Sequence, residues 1–294
     1  MNALTVVMAL LSALSNATAS VLQRRAAVEP DDVSGRGVKA ATARLTELLR
    51  RPYWWAGATA LVLSAVFQVI ALDAGQLSVV QPLLTTELLF TLLVGAAVFR
   101  SRPGAGTWRS FVMLAGGLAV FLLSASPSPG VERAGDWRWL AVGGGLACCV
   151  AVLLAAARRV HGPLRAALLG AATAACFAVT AALIKEVTGR FPGGPTAVLT
   201  TWHTYAGAAT GLLSVLLLQW TLRAGTLAAS QPALALGDAL ISVTLGGLLF
   251  GESIALGWRV LPEVVGVGLM AMGIVGLTRS PVVAGDRSWD EVEP

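Results

Sequence analysis

Charge is what this sequence has least of. Only 13% of its 294 residues are Asp, Glu, Lys or Arg, against about 25% in ordinary soluble domains. With 56% hydrophobic residues and a mean hydropathy of +0.74, that shortage excludes a soluble globular chain, because a core of this size cannot hide so much apolar surface. Cysteine is also scarce. Cys148, Cys149 and Cys176 fall inside apolar stretches and are odd in number, which argues against a disulfide framework and for small buried hydrophobes. The two histidines, His161 and His203, lie far apart, and there is no His-x-x-x-His pair, phosphate loop or serine elbow. The longest connection between apolar stretches, residues 23–53, leaves no room for a nucleotide-binding region, which excludes an ATP-driven pump made by this chain alone. A membrane enzyme that assembles its site without such motifs is the weakest of the functional readings left, and neither catalytic residues nor a cofactor are expected.

What is present is length of apolar run. Nine stretches can each cross a bilayer, which takes about 20 residues of helix: 3–22, 54–72, 77–99, 109–125, 139–157, 165–184, 197–220, 226–249 and 260–278. The first has Ala17-Thr18-Ala19, a small-residue cleavage pattern, but no basic n-region and too long an apolar run, so it reads as a retained helix. Glycine runs such as Gly143-Gly144-Gly145 and Gly246-Gly247 are expected to let membrane helices approach closely.

The net charge of +5 is placed to orient helices rather than to bind nucleic acid. With residue 1 outside, only Arg133, Arg138, Lys185, Arg190 and Arg259 of the 21 basic residues fall on outer connections; all the others are cytoplasmic and none lies in a span. The N-terminus is therefore expected outside a plasma membrane and the C-terminus in the cytoplasm. In the long cytoplasmic connection, Val38, Ala41, Leu45, Leu48 and Leu49 recur at helical spacing among bases, which suits either a helix on the inner leaflet or a mobile basic linker. Trp54, Trp55, Trp137 and Trp139 read as interfacial anchors.

The chain also matches itself at an offset of 150. Leu72-x-Ala74-Gly75-x-Leu77 meets Leu222-x-Ala224-Gly225-x-Leu227, and Gln81-Pro82-x-Leu84 meets Gln231-Pro232-x-Leu234. Trp108-Arg109 meets Trp258-Arg259, and Gly116 meets Gly266. The spans before Gly75 and Gly225 run in opposite directions, so the two copies are inverted. The expected architecture is an all-α membrane protein of two inverted four-helix repeats around one extra helix. Its parts are a first repeat (1–125), a linking helix within 126–158, a second repeat (159–278) and a polar cytoplasmic tail (279–294). Such frames carry secondary transporters that alternate access to a midplane site.

Gly225-x-Leu227, Pro232, Gly251-Glu252 ahead of the last span, and Gly266 onward resemble the drug/metabolite transporter superfamily. Arg51-Pro52-Tyr53-Trp54-Trp55 and the count of nine spans are more similar to its NIPA-type branch. The resemblance implies a transporter fold over nearly the whole chain, and its branch implies magnesium as a substrate. The first half departs from the pattern, with Ser101-Arg102 where the second has Gly251-Glu252, and one helix of the usual ten is lost.

Three acids lie within spans: Glu87, Asp238 and Glu263. A midplane carboxylate costs several kcal/mol unless it is protonated, hydrated or bound to a cation, so each is a functional candidate. Glu87 and Asp238 are central in repeat-equivalent spans and are expected to share a proton or bracket a cation. Asp238 has Gln231 and Ser242 on its helical stripe; Glu87 has Thr91 one turn on. Pro82 and Pro232 kink their helices and free carbonyls beside Gln81 and Gln231 as possible ligands. Weaker candidates are His203 in an aromatic belt, Glu263 as a vestibule charge, Asn16, and Gln68, which with Gln219 is expected to bond between helices. The leading reading is a proton-coupled carrier of a small metabolite, amino acid-like solute or drug. The alternative is a carrier of divalent cations such as magnesium, for which one or two carboxylates suffice.

Overall fold

A computed structural model describes residues 2–28, 52–100, 103–125, 128, 130–224, 227–252 and 260–279. The stretch around residues 38–49, Gly225, Trp258, Arg259 and the tail from 280 lie outside the described residues. The remainder forms α1 (Ala3–Val28), α2 (Pro52–Ala74), α3 (Leu77–Leu84), α4 (Glu87–Val98), α5 (Ala105–Ala125), α6 (Asp136–Arg159), α7 (Gly162–Thr188), a 3-10 turn at Phe191–Gly193, α8 (Gly194–Leu199), α9 (Trp202–Ala224), α10 (Leu227–Phe250) and α11 (Val260–Thr278). Among the described residues there are nine segments long and apolar enough to span a bilayer, α3 and α4 together making one of them, Leu77–Val98. The chain is an all-α, multi-pass membrane protein. Helix is dictated here because hydrocarbon offers the backbone no hydrogen-bond partner, so each segment must satisfy its own amides.

The nine expected spans are all present, with shifted ends. α1 runs on to Val28 and α7 to Thr188, so Lys185 and Glu186, expected on an outer connection, lie in the last turn of α7. The expectation of no base within a span therefore fails: the observed helices take in Arg109, Arg138, Arg158, Arg159, Arg165 and Lys185 near their ends, and Lys185 is drawn into the bundle.

α7 is the hub. Its small residues Ala174, Ala175, Ala178, Ala181 and Ala182 are buried and let α6, α9 and α10 all pack close to its backbone. Polar bonds join matched pairs: Ser12 and Ser64 each donate to the other's carbonyl between α1 and α2, at 2.9 and 3.0 Å, and Thr173 and Thr221 meet at 3.0 Å between α7 and α9. α5 lies along α11 with backbones nearly touching. A Cβ on Gly117 would stand 2.7 Å from the Gly266 carbonyl oxygen, and one on Gly266 would stand 2.9 Å from the Gly117 oxygen. Only glycine fits at such a crossing. The short α3 packs against α10, so the two proline-bearing segments are neighbours.

The apolar faces of α2 and α9, with Leu61, Val62, Val66, Leu212 and Val215 exposed, form the lipid-facing belt. α6 lies at the periphery. Gly143, Gly144 and Gly145 meet nothing within 4 Å, so their expected role in close packing does not hold, whereas Gly246 is in close contact. Cys148 and Cys149 are exposed on the same helix, contrary to the buried reading that holds for Cys176. Trp137 is exposed as an anchor should be, but Trp139 is 6% exposed and belongs to the interior.

Candidate functional site

The first proline segment is broken. Pro82 withholds an amide from α3, and the helix stops two residues later at Leu84. Thr85 and Thr86 turn the chain with amide bonds to the Pro82 and Leu83 carbonyls, and their hydroxyls donate to the same carbonyls at 2.7 and 2.6 Å. The carbonyls at the end of α3, those of Pro82 and Leu83, are thereby satisfied, while the carbonyl that Pro82 itself frees is that of Ser78, four residues earlier. Glu87 is the first residue of the restarted helix α4, mid-span, where the amide dipoles favour negative charge. Its carboxyl group lies within reach of the Asn16 side chain of α1. Thr91 follows one turn on and is half-buried.

The second proline segment is not broken: α10 continues through Pro232 to Phe250. Asp238, Ser242, Leu245 and Leu249 share one helical face, and the last three are buried, so this face points into the bundle. The Asp238 and Ser242 side chains lie within reach of each other one turn apart, but Oδ1 and Oγ are buried and make no hydrogen bond of normal geometry. On α3, Ser78 Oγ and Gln81 Nε2 are likewise buried without a protein partner, in residues 3% and 2% exposed. Gln231, two turns before Asp238 on the same stripe, is half-buried.

α3 runs away from the Asn2 end of the bundle while α10 runs towards it. Their register is set where a Cβ on Gly246 would stand 3.4 Å from the Ser78 amide nitrogen, and Pro82 shares a small apolar void with Leu240 and Val243. Eight residues along each helix is ~12 Å, which puts Asp238 at the depth of Thr86 and Glu87. The two midspan acids are thus level, though among the described residues no hydrogen bond joins them. Their expected sharing of one proton gains a common depth but no contact.

The most elaborate polar construction sits at the Asn2 end. Gly251, at φ +67°, reverses the chain after α10 so that Glu252 folds back. Its carboxylate accepts from the Leu77 and Ser78 amides at 2.8 and 2.9 Å, capping the first turn of α3. The Lys185 ammonium stands 3.6 Å away and also donates to the Gly75 carbonyl. A Cβ on Gly246 would stand 2.3 Å from a Glu252 carboxylate oxygen, so a larger residue there would have to displace the cap. Above this pair opens a cavity of about 410 Å³ lined by Asn2, Thr5, Asp73, Gln76, Glu132 and Lys185 among others. A second cavity of about 250 Å³ adjoins it through Asp73, Glu132 and Lys185.

Beside it lies a buried knot. Glu186, fully buried, accepts from the Ala134 amide at 2.7 Å and the Trp139 indole at 3.3 Å and pairs with Arg190 at 3.3 Å. His203, expected in an interfacial belt, is instead 1% exposed, stacked on Trp202, edge-on to Trp139 and bonded to Thr201 at 2.8 Å. Its place is interior because the α7 end brings charge and ring together.

Glu263 is in the first turn of α11, half-buried, with Oε1 buried and no protein partner among the described residues. Gln68 is half-buried and Gln219 exposed, and neither makes an interhelical bond among the described residues. No three His, Cys, Asp or Glu side chains converge as a metal site among the described residues.

Sequence reasoning missed Glu252, Lys185 and Ser78. Gly251-Glu252 was a legible pair, but nothing in it told that its carboxylate would cap a helix 175 residues earlier. Lys185 lay one residue past an expected helix end.

An uncharacterized protein of Corynebacterium glutamicum is 31% identical to this chain over 298 aligned positions, covering 97% of the chain and 99% of that relative. No family model matches the chain, and no solved structure matches it.

Proposed function

We propose that this chain, which belongs to the same family as that corynebacterial protein, is a secondary transporter that moves a small metabolite, amino acid-like solute or drug by alternating access. The observation that carries this reading is the mid-membrane break at Thr85 and Thr86. It sets Glu87 at the start of a half-helix, level with Asp238 on the neighbouring proline-bearing helix. Discontinuous helices that meet at the midplane are how secondary transporters build solute and ion sites inside a bilayer. Two inverted repeats account for the 150-residue offset and for the matched packing: α1 on α2 and α7 on α9, with α5 paired to α11. Membership of the drug/metabolite transporter superfamily is part of this proposal. So is a plasma-membrane location with the Asn2 end outside, which the basic residues favour. The chain acts as a carrier and not as an enzyme, and Glu87 and Asp238 couple solute to protons.

One observation favours a second reading, transport of a divalent cation. Among the described residues, Asp73, Glu132 and Glu252 face the cavity at the Asn2 end against a single basic side chain, Lys185, a balance that attracts cations.

Purified protein in liposomes, with an internal pH dye and a magnesium-sensitive dye, separates the readings. Solute-driven proton flux that disappears in Glu87→Gln or Asp238→Asn is the expected result. Magnesium flux without proton movement moves the assignment to the ion carrier. Wild-type behaviour of both variants in every assay removes the midspan acids from the mechanism.

A further inference from the structure

We infer that the interface between α3 and α10 holds a file of buried water molecules that joins the Glu252 cavity to Asp238. Buried polar atoms in folded proteins nearly always have a partner, and each exception calls for one. Here four exceptions fall on two packed helices: Ser78 Oγ and Gln81 Nε2 on α3, Ser242 Oγ and Asp238 Oδ1 on α10. In antiparallel register they form a ladder beneath Glu252. Ser78 lies beside Gly246, Gln81 is one turn deeper, Ser242 one turn below Gly246 and Asp238 one turn below that. Gln81 and Ser242 stand at nearly the same depth, ~4.5–6 Å below Ser78, and Asp238 lies ~6 Å below Ser242, so each step of one turn is a gap that one water spans with a hydrogen bond on either side.

The chemistry of the four atoms selects the occupant. Gln81 Nε2 is a donor and needs an acceptor, Asp238 Oδ1 is an acceptor, and the two hydroxyls are both. A bare cation accepts nothing and would leave the Gln81 amide unpaired. The neighbouring void beside Pro82 is apolar and only about 10 Å³, so no organic solute fits in this conformation and that side stays dry. Water satisfies every atom, and at its upper end the file meets the 410 Å³ cavity past Ser78, whose amide Glu252 holds.

Such a file carries protons. Each hop breaks one O–H bond and forms one on the next oxygen, so a proton arriving on the Asp238 carboxylate comes from cavity water and is replaced from bulk. The inference deepens the proton-coupled reading and rests on it only for the file's purpose; the water itself is tested without transport.

Isotopically labelled protein in lipid bilayers, studied by water-edited solid-state NMR, reads the file directly. The Gln81 side-chain amide and Ser242 should receive water magnetisation about as fast as exposed Asn2, while buried Leu114 should not. In Ser242→Val the Asp238 carboxyl should lose at least half of that transfer with Gln81 still wet. Build-up at Gln81 and Ser242 as slow as at Leu114 in the wild-type protein would overturn the inference, whatever the variant does. A wet file in a protein whose Asp238→Asn variant still transports would uphold the water and remove the proton-coupling role instead.

Discussion

At the scale of single residues, Glu252 does most to hold the Asn2 end together. Its carboxylate replaces the partners that the first amides of α3 lack, and it compensates Lys185, whose side chain is 11% exposed. Removing one partner of a buried pair leaves the other charge uncompensated, typically at a cost of about 3–5 kcal/mol. Glu252→Ala should therefore lower stability by that order in unfolding experiments in detergent. Lys185→Ala/Glu252→Ala should lose clearly less than the two single changes summed, because the uncompensated ammonium is gone. Additive losses would mean that the pair is not coupled. Glu252 could be read from the sequence as an acid next to a glycine but not as a cap, since its partners are remote in sequence. Glu87 and Asp238 could be read as functional candidates from one-dimensional information alone, because an acid in the middle of an apolar run is costly wherever the run ends up.

At the scale of elements, two features that look alike in sequence behave differently. Gln81-Pro82 and Gln231-Pro232 occupy matching positions, yet α3 stops at Leu84 while α10 runs on to Phe250. The residues after each proline make the difference. Thr85 and Thr86 can bond their hydroxyls back to the Pro82 and Leu83 carbonyls and stabilise a break, whereas Leu234, Ala235 and Leu236 can only continue the helix. Glycines divide the same way. Gly117 and Gly273 meet the facing backbone within 2.5–2.7 Å, while Gly116 and Gly268 meet nothing within 4 Å, though all four look equivalent in an apolar run. Gly117→Ala and Gly273→Ala should each cost about 1–3 kcal/mol by forcing α5 from α11, and Gly116→Ala and Gly268→Ala should be neutral or slightly stabilising. Equal effects in a melting series would mean that α5 and α11 do not cross in backbone contact. The expected roles of Gly143, Gly144 and Gly145 failed for this reason: glycine permits a close approach, but only a partner helix makes one.

For the whole molecule, the proposed sidedness is the property that most needs a direct test. The Asn2 end gathers Asp73, Glu132, Lys185 and Glu252 around its cavity, and the proposed orientation puts that end outside. In a background with Cys148, Cys149 and Cys176 replaced, Asn2→Cys should react with a membrane-impermeant maleimide on intact cells. A cysteine at His161, between α6 and α7, should react only after the membrane is opened. The reverse pattern would invert the topology and turn the cavity to the cytoplasm.

The sequence by itself determined the membrane, the nine spans, the helical class and the acids that lipid would not tolerate. Each follows from solvation, which depends on composition over about twenty residues and not on which segments meet. Only the tertiary structure decided that Glu252 caps α3, that Lys185 is buried beside it, that one proline helix breaks and the other does not, and that polar atoms of Ser78, Gln81, Asp238 and Ser242 are buried without a protein partner. Those outcomes depend on distances between residues up to 175 positions apart in the chain, set by how glycines and alanines let particular helices approach.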